Sequence, residues 1–474
     1  MLMKTRHNSS LKVAGLLNQL SAAVALTFLV STTAIGQGST AHQGGLQTMD
    51  MGLSPLFNLA LQNSPAILQR QADQQQAYYG LQQAESELGA QVMLNSELSY
   101  SVMSEKRFAR TANQLVATYS LYQPHQQDNR EAAKYQFLAQ QKGIVEQQQQ
   151  VVMQVASLYI DYWQQQENLR YLQKEKSSIN NIIKQLQQRF QVGLQDLNDI
   201  AEIRSRLDFN EAELLKAQAD LQRTRAALLA QLGLQSLREL KIYLAQHKRS
   251  ELLTHAADQG DKIALFDVDK LKAELLALNS AQSDINSDQF WWQLVQSHPA
   301  LQGLTAKTNA SYQQEKAIEN LYGPQVEAFG ALVYNDSDKN FYDDMRGARA
   351  GIRLNVPLYL SGKSESSIAK QRQQSLSIKA QKRQVALRLQ SQAYNAWIGI
   401  QSGKSRYQAL QQALVSSQQA LQASEQALKT GRRNVLDLLD AQRHLHRIQR
   451  DLPQLKAQIW LNYYQLLWSL GRLA

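Results

Sequence analysis

Cysteine is absent from all 474 residues. The chain can therefore carry no disulfide and no thioether-linked lipid, and its composition suits a compartment in which stray thiols would be oxidised. Proline and glycine are scarce, 7 and 22 residues, while glutamine, alanine and leucine abound and the mean hydropathy is polar, −0.43. That balance favours long, half-solvated helices over one large compact core. A concentrated basic patch is missing too. The formal net charge of +10 falls to +7 once Lys4, Arg6 and Lys12 are set aside, and the other cations alternate with Asp, Glu and Gln. They read as solvated helix faces, not as a nucleic-acid surface. No nucleophile–base pair, phosphate loop or metal-ligand cluster stands out, so neither catalysis nor a cofactor is expected.

What is present begins with the N-terminus. Lys4, Arg6 and Lys12 precede an apolar run from Ala22 to Val30, and Ala34-Ile35-Gly36 supplies small residues for cleavage. Residues 1–36 read as a secretory signal peptide. A membrane anchor needs about 20 apolar residues, and Asn18, Gln19 and Ser21 interrupt this run.

The remainder repeats itself. Asn63-Ser64-Pro65-Ala66 returns as Ser297-His298-Pro299-Ala300, 234 positions later, and Val92 returns as Val326 at the same offset. Ser120-Leu121-Tyr122 and Pro357-Leu358-Tyr359 are 237 apart; Val192-Gly193 and Thr430-Gly431, and Leu232-Gly233 and Leu470-Gly471, are 238 apart. Such duplication dictates architecture. Each half reads helix, two alternating strands, then a long helical tract broken by one glycine. The expected division is 37–234 for the first repeat, 235–288 for a linker, and 289–474 for the second repeat. The offset grows between the two strands, so the second half carries about three extra residues in the Asp336–Gly347 loop.

From Gly143 to Phe190 there is neither proline nor a further glycine, on the order of 70 Å of helix. Ile200, Leu207, Leu214, Leu221 and Leu228 recur every seven residues. Leu410, Leu414, Ser417, Leu421, Ser424 and Leu428 step by four and three, as do Leu438, Ala441, Leu445, Ile448, Leu452, Leu455 and Ile459. This period keeps one seam against partner helices. A glycine ends one helix and lets the next begin, so the tracts at about 125–233 and 362–471 are expected to be antiparallel hairpins with tips at Gly193 and Gly431. Pro453 inside the last seam should weaken or kink that helix. On the heptads alone, a periplasmic coiled-coil adaptor or structural rod fits as well.

Period two appears between the helices. Val92, Leu94, Leu98, Tyr100 and Val102 alternate with polar residues, and Leu115, Ala117, Tyr119 and Leu121 return. Strands are expected at about 91–103, 114–122, 324–335 and 348–359. One apolar face over about ten residues suits a tilted membrane strand; a sheet packed on a soluble core has the same pattern. Four strands cannot close a barrel, and open edges do not survive in lipid, so membrane strands would require several chains to share one barrel.

These features resemble the TolC-like outer membrane efflux protein family, the outer membrane factors of tripartite efflux and type I secretion systems. The resemblance rests on the duplicated layout, on Ala60-Leu61-Gln62-Asn63-Ser64-Pro65, on Val356-Pro357-Leu358-Tyr359-Leu360-Ser361-Gly362, and most on the run from Thr430-Gly431-Arg432-Arg433-Asn434 through Val435-Leu436-Asp437-Leu438-Leu439-Asp440-Ala441. It spans nearly all of the chain from about residue 50. It implies a mainly α fold with a small β-barrel: a homotrimer whose twelve-stranded barrel, set in outer membrane lipid, continues into a periplasmic α-helical barrel, with 235–288 in an equatorial girdle. It further implies a passive exit duct, a periplasmic adaptor protein and an inner-membrane transporter of RND, ABC or MFS type as partners.

By the same resemblance, Asp437 and Asp440 match carboxylates that ring a cation-selective constriction. Positions i and i+3 share a helix face, so a trimer would stack two rings; without the resemblance the pair reads as a solvated face. Arg433 matches a tip arginine of the closed gate, with Asp199, and with it Asn198, as its acceptor. The family's tip tyrosine falls at Leu428, which has no hydroxyl to donate. His444 and His446 diverge on a helix and read as surface or structural, Gln147 to Gln150 as solvated helix, and Trp291 and Trp292 as packing anchors.

Overall fold

The computed structural model describes residues 52–103, 106–191, 197–247, 266–278, 284–337, 345–430, 432–433 and 435–473. Residues 1–36, expected to be a signal peptide, both tip glycines and most of the Asp336–Gly347 loop lie outside this set.

The elements follow the duplication. Helices α1 (Ser54–Asn63) and α2 (Pro65–Ser86) lead into β1 (Gln91–Met103) and β2 (Lys106–Tyr122), then α3 (Pro124–Gln191) and α4 (Leu197–Gln231). Three short helices follow: α5 (Leu237–Gln246), α6 (Val268–Leu278) and α7 (Asp288–Val295). The second half runs α8 (Pro299–Leu321), β3 (Gln325–Ser337), β4 (Met345–Asn355), α9 (Lys363–Lys429) and α10 (Val435–Ser469). With 68 and 67 residues, α3 and α9 each extend about 100 Å. Each long helix therefore carries the sheet at one end and a hairpin tip at the other.

The four strands form one antiparallel sheet in the order β1-β2-β3-β4. The central pairing, β2 with β3, joins the two halves and aligns Leu115 with Leu332 and Ala117 with Gly330, with a bulge between Ser120 and Tyr122. β2 starts at Lys106, well before the expected residue 114, because backbone pairing continues through Lys106–Arg110 to Met103 and Ser99 although the alternation of side chains has faded there. β4 stops at Asn355, short of the expected 359; Pro357 has no N–H to offer a ladder.

One sheet face collects Val92, Leu94, Leu98, Tyr100, Leu115, Tyr119, Leu332, Ile352 and Leu354, all exposed to solvent. The other presents Asn95, Glu97, Gln114, Glu327, Arg349 and Arg353 and is the more covered, with Phe108 and Ala331 buried. This second face is the polar one. On it Arg353 pairs with Glu327 at 3.3 Å and lies 5.0 Å from the Phe329 ring centre. Among the described residues no helix makes more than marginal contact with the sheet.

The main core sits midway along the long helices, where α1, α3, α5, α6, α7, α9 and α10 converge on Val155, Tyr159, Phe290, Trp291, Trp397 and Tyr463. Trp291 is fully buried and its indole N–H donates to the Ile285 carbonyl at 2.8 Å. Close approach of α9 to α10 depends on Gly399 and Gly403, where a Cβ would stand 2.3 Å from Asn462 Nδ2 and 2.6 Å from Ile459 Cγ1. The heptad positions Ile200, Ile203, Leu214, Ala217 and Leu228 of α4 are buried. Helix α10 runs through the buried Pro453. Gln149 departs from the solvated run expected at 147–150. It is buried and donates to the Gly471 carbonyl at 2.7 Å, because a carbonyl just past a helix end needs a donor when water is excluded.

Candidate functional site

The tip of the first hairpin and the start of α10 share a small apolar core. Ile179, Ile182 and Leu186 of α3 meet Ile200 and Ile203 of α4 and Val435, Leu438 and Leu439 of α10, with Leu421 and Leu428 of α9 packed alongside. Leu428 thus contributes packing where the resemblance placed a tyrosine. Burial of Val435, Leu438 and Leu439 fixes the rotation of α10, so Leu436, Asp437 and Asp440 point to solvent.

Asp440 is not a lone carboxylate. It accepts from the Arg443 guanidinium three residues on and lies 3.9 Å from Arg206 on α4. Arg206 in turn pairs with Glu202 at 2.7 Å. Two residues along, the buried Gln442 donates to Ser178 Oγ at 2.9 Å. Polar bonds as well as apolar packing therefore tie α10 to the first hairpin.

Arg433 is exposed, and its guanidinium donates to Ser424 Oγ at 2.8 Å within its own hairpin. That bond satisfies a serine that is buried in the α9 seam. The backbone of Arg432 closes the turn by donating to the Ala427 carbonyl at 2.8 Å. Asn198 and Asp199 belong to the first turn of α4. Asn198 is exposed; the Asp199 side chain, like Gly193 and Gly431, lies outside the described residues. Counting from the tip glycines, Asp199 and Glu202 occupy in α4 the places of Asp437 and Asp440 in α10, 238 residues on. The acidic pair is thus duplicated with the fold. His444 is exposed and His446 half-buried, and among the described residues no cluster of His, Asp and Glu has metal-binding geometry.

Arg206, Glu202, Arg443, Gln442 and Ser178 had no role in the sequence reading, and Ser424 stood there only as a seam position. The Glu202–Arg206 and Asp440–Arg443 spacings are legible as helix-face pairs. The Arg206–Asp440 approach is not, since it depends on how two hairpins pack.

A duplicated helix–strand–strand–hairpin unit, a sheet with one exposed apolar face, and two helices about 100 Å long are the features of a membrane channel. The sequence pattern of the outer membrane efflux protein family matches residues 56–234 and 292–472, and the chain belongs to that family. It is 24% identical over 434 residues to the outer membrane protein TolC of Vibrio cholerae, covering 89% of this chain and 91% of the relative. Among solved structures it is similar to VceC of Vibrio cholerae, with TM-score 0.72 and 19% identity over 89% of this chain and 96% of that one. It is likewise similar to the CusC channel, with TM-score 0.74 and 16% identity over 91% and 95%. The family is one of non-enzymatic efflux channels in the outer membrane of Gram-negative bacteria.

Proposed function

We propose that the chain acts as a homotrimer whose three sheets close one twelve-stranded barrel. The observation that carries this is the sheet itself: among the described residues β1 and β4 have no partner on their outer edges, yet one face is apolar and exposed. Such a sheet is stable in lipid only when every edge is paired. Joining β4 of one copy to β1 of the next satisfies both edges and leaves the polar face around a water-filled lumen.

In this reading the helical hairpins continue the barrel as a periplasmic tunnel, girdled by 235–288, and the tips form its entrance. The tunnel is a passive exit duct. A periplasmic adaptor and an inner-membrane transporter of RND, ABC or MFS type supply coupling and energy, in tripartite efflux or type I secretion. Residues 1–36 direct export and are removed, and the cysteine-free chain reaches the membrane without a lipid anchor. Asp437 and Asp440 line the constriction. Arg433, with Asp199 and Asn198 as acceptors, latches neighbouring hairpins next to the Gly193 and Gly431 turns. The exposure of Asp437, Asp440 and Arg433 supports these roles. Formation of the latch would exchange Ser424 for a carboxylate, a stronger partner for a guanidinium.

Conductance in planar bilayers tests the reading. Purified protein should insert as trimers with small, cation-selective conductance, and Arg433→Ala or Asp199→Ala should enlarge it. A protein that stays monomeric in the soluble fraction would sink the channel reading. Unchanged conductance in both variants would remove the latch alone.

A further inference from the structure

Beyond the tip, a groove runs between α3 and α10. Its narrower part is a cavity of about 190 Å³ lined by Tyr171, Glu175, Arg443, His446, Arg447 and Arg450. A larger cavity of about 340 Å³ shares Glu175, Arg443, His446 and Arg450 and reaches Arg206, Asn210 and Glu213 on α4. Arg443, His446, Arg447 and Arg450 are spaced i, i+3, i+4 and i+7, so all four project from one face of α10. Across the groove, the Arg170 guanidinium and the Lys174 ammonium lie 5.2 and 5.6 Å from the Tyr171 ring centre.

In the narrower cavity three arginines face one carboxylate, Glu175; the larger cavity adds Glu213. Arg170 is paired with Glu167 at 2.8 Å, and Arg443 shares Asp440 with Arg206. Arg447 and Arg450 form no ion pair among the described residues. Glu175, the carboxylate of the narrower cavity, is held on its other side by the Asn210 amide at 3.3 Å. A row of guanidiniums this close on one helix face repels itself unless an anion intervenes.

A second observation points the same way. Asn210 is 6% exposed, and its side-chain carbonyl oxygen has no hydrogen-bond partner. His446 Nδ1 is buried and unpartnered as well. Buried polar atoms in folded proteins are nearly always satisfied. Here two orphans line cavities that also hold unpaired arginines.

We propose that this groove binds a compact polyanion bearing carboxylate or phosphate groups. Arg447 and Arg450 clamp its oxyanions in the forked geometry that guanidinium favours, Arg443 and His446 donate from beside them, and the Asn210 carbonyl accepts from a hydroxyl of the ligand. The bound anion bridges α4 and α10 and so fastens the two hairpins to each other just above the acidic tip. This binding is a property of the folded chain and does not depend on the channel reading.

Calorimetric titration of the purified full-length protein in neutral detergent, at low ionic strength, tests it with citrate and with inorganic pyrophosphate. Saturable binding of at least one, weakening as salt is added, is expected. The double substitution Arg447→Gln/Arg450→Gln removes no ion pair and should leave helicity unchanged while weakening binding at least about tenfold, equivalent to about 1.4 kcal/mol. Arg383→Gln, on α9 and lining neither cavity, should bind as the parent does. No saturable heat from either anion overturns the site. So does unchanged affinity in the double variant, or an equal loss in Arg383→Gln.

Discussion

Gly471 packs directly on Pro299: a Cβ at Gly471 would stand 2.7 Å from Pro299 Cδ and 3.0 Å from His298 Cα. The first half repeats the arrangement, since a Cβ at Gly233 would stand 2.8 Å from the Asn63 Cβ, and Asn63 donates its amide to the Leu232 carbonyl at 3.1 Å. In each repeat the opening Asn-Ser-Pro or Ser-His-Pro motif is seated on the glycine that ends the same repeat. Both glycines have φ of +70°, so backbone conformation and lack of space require glycine together.

Gly471→Ala is therefore expected to cost about 2–4 kcal/mol, from a left-handed backbone and an overpacked contact. Gly403→Ala should destabilise by overpacking alone, because Ile459 is in the way. Gly80→Ala, with nothing within 4 Å in α2, should instead stabilise by about 1 kcal/mol. Thermal melts of helicity would reveal this order; equal effects at all three positions would show that packing at the glycines is unimportant.

His298 caps α8 by accepting from the Ala300 N–H at 3.1 Å. Burial pushes its pKa down from 6.5 to about 4. Between those values the unfolded chain takes up a proton that the folded one refuses, so stability falls as pH falls from 6.5 toward 4. The full effect is on the order of 3 kcal/mol. His298→Asn keeps an oxygen for the cap and removes the titration. Its melting temperature should vary less with pH across that window than the parent's, and parallel curves would contradict the assignment.

Asp440 already shares its charge with Arg443 and Arg206. If the carboxylates line the constriction, Arg206→Gln should raise cation selectivity and Asp440→Asn should lower it. Reversal potentials in salt gradients measure both. Unchanged selectivity in Arg206→Gln would mean that this arginine leaves the Asp440 carboxylate unscreened.

The sheet faces make a paired prediction. Leu94→Arg puts a charge on the apolar face, costing about 2–4 kcal/mol near the bilayer midplane, and should reduce the yield of outer-membrane trimer. Asn95→Arg, one residue on and facing the polar side, should be tolerated. Equal tolerance of both would argue against lipid contact at Leu94.

The fold was legible in the sequence where periodicity is local. Seven-residue spacing marks the seam of α4, and Ile200, Leu214 and Leu228 are buried there. Alternation marks the apolar face of β1, and the offset of 234 pairs Pro65 with Pro299, each at the start of a helix. Where side-chain alternation faded, at Lys106–Arg110, the extent of β2 was lost, because backbone pairing with Met103 and Ser99 continues regardless of side chain.

The candidate site divides in the same way. Asp437 and Asp440 share a helix face by spacing alone, and so do Glu202 and Arg206. Only tertiary structure decided that Asp440 approaches Arg206, that Arg433 turns back to Ser424, and that Gln149 leaves a polar run to meet the Gly471 carbonyl. These contacts span hairpins or helix ends, and their geometry follows from which apolar faces pack. The sequence by itself determined the repeats, the long helices and the two-faced strands, because each is a short-period pattern that the backbone reads within a few residues. Which polar groups meet at the tip and in the groove was decided by burial of Val435, Leu438 and Leu439, which fixes the rotation of α10 against its neighbours.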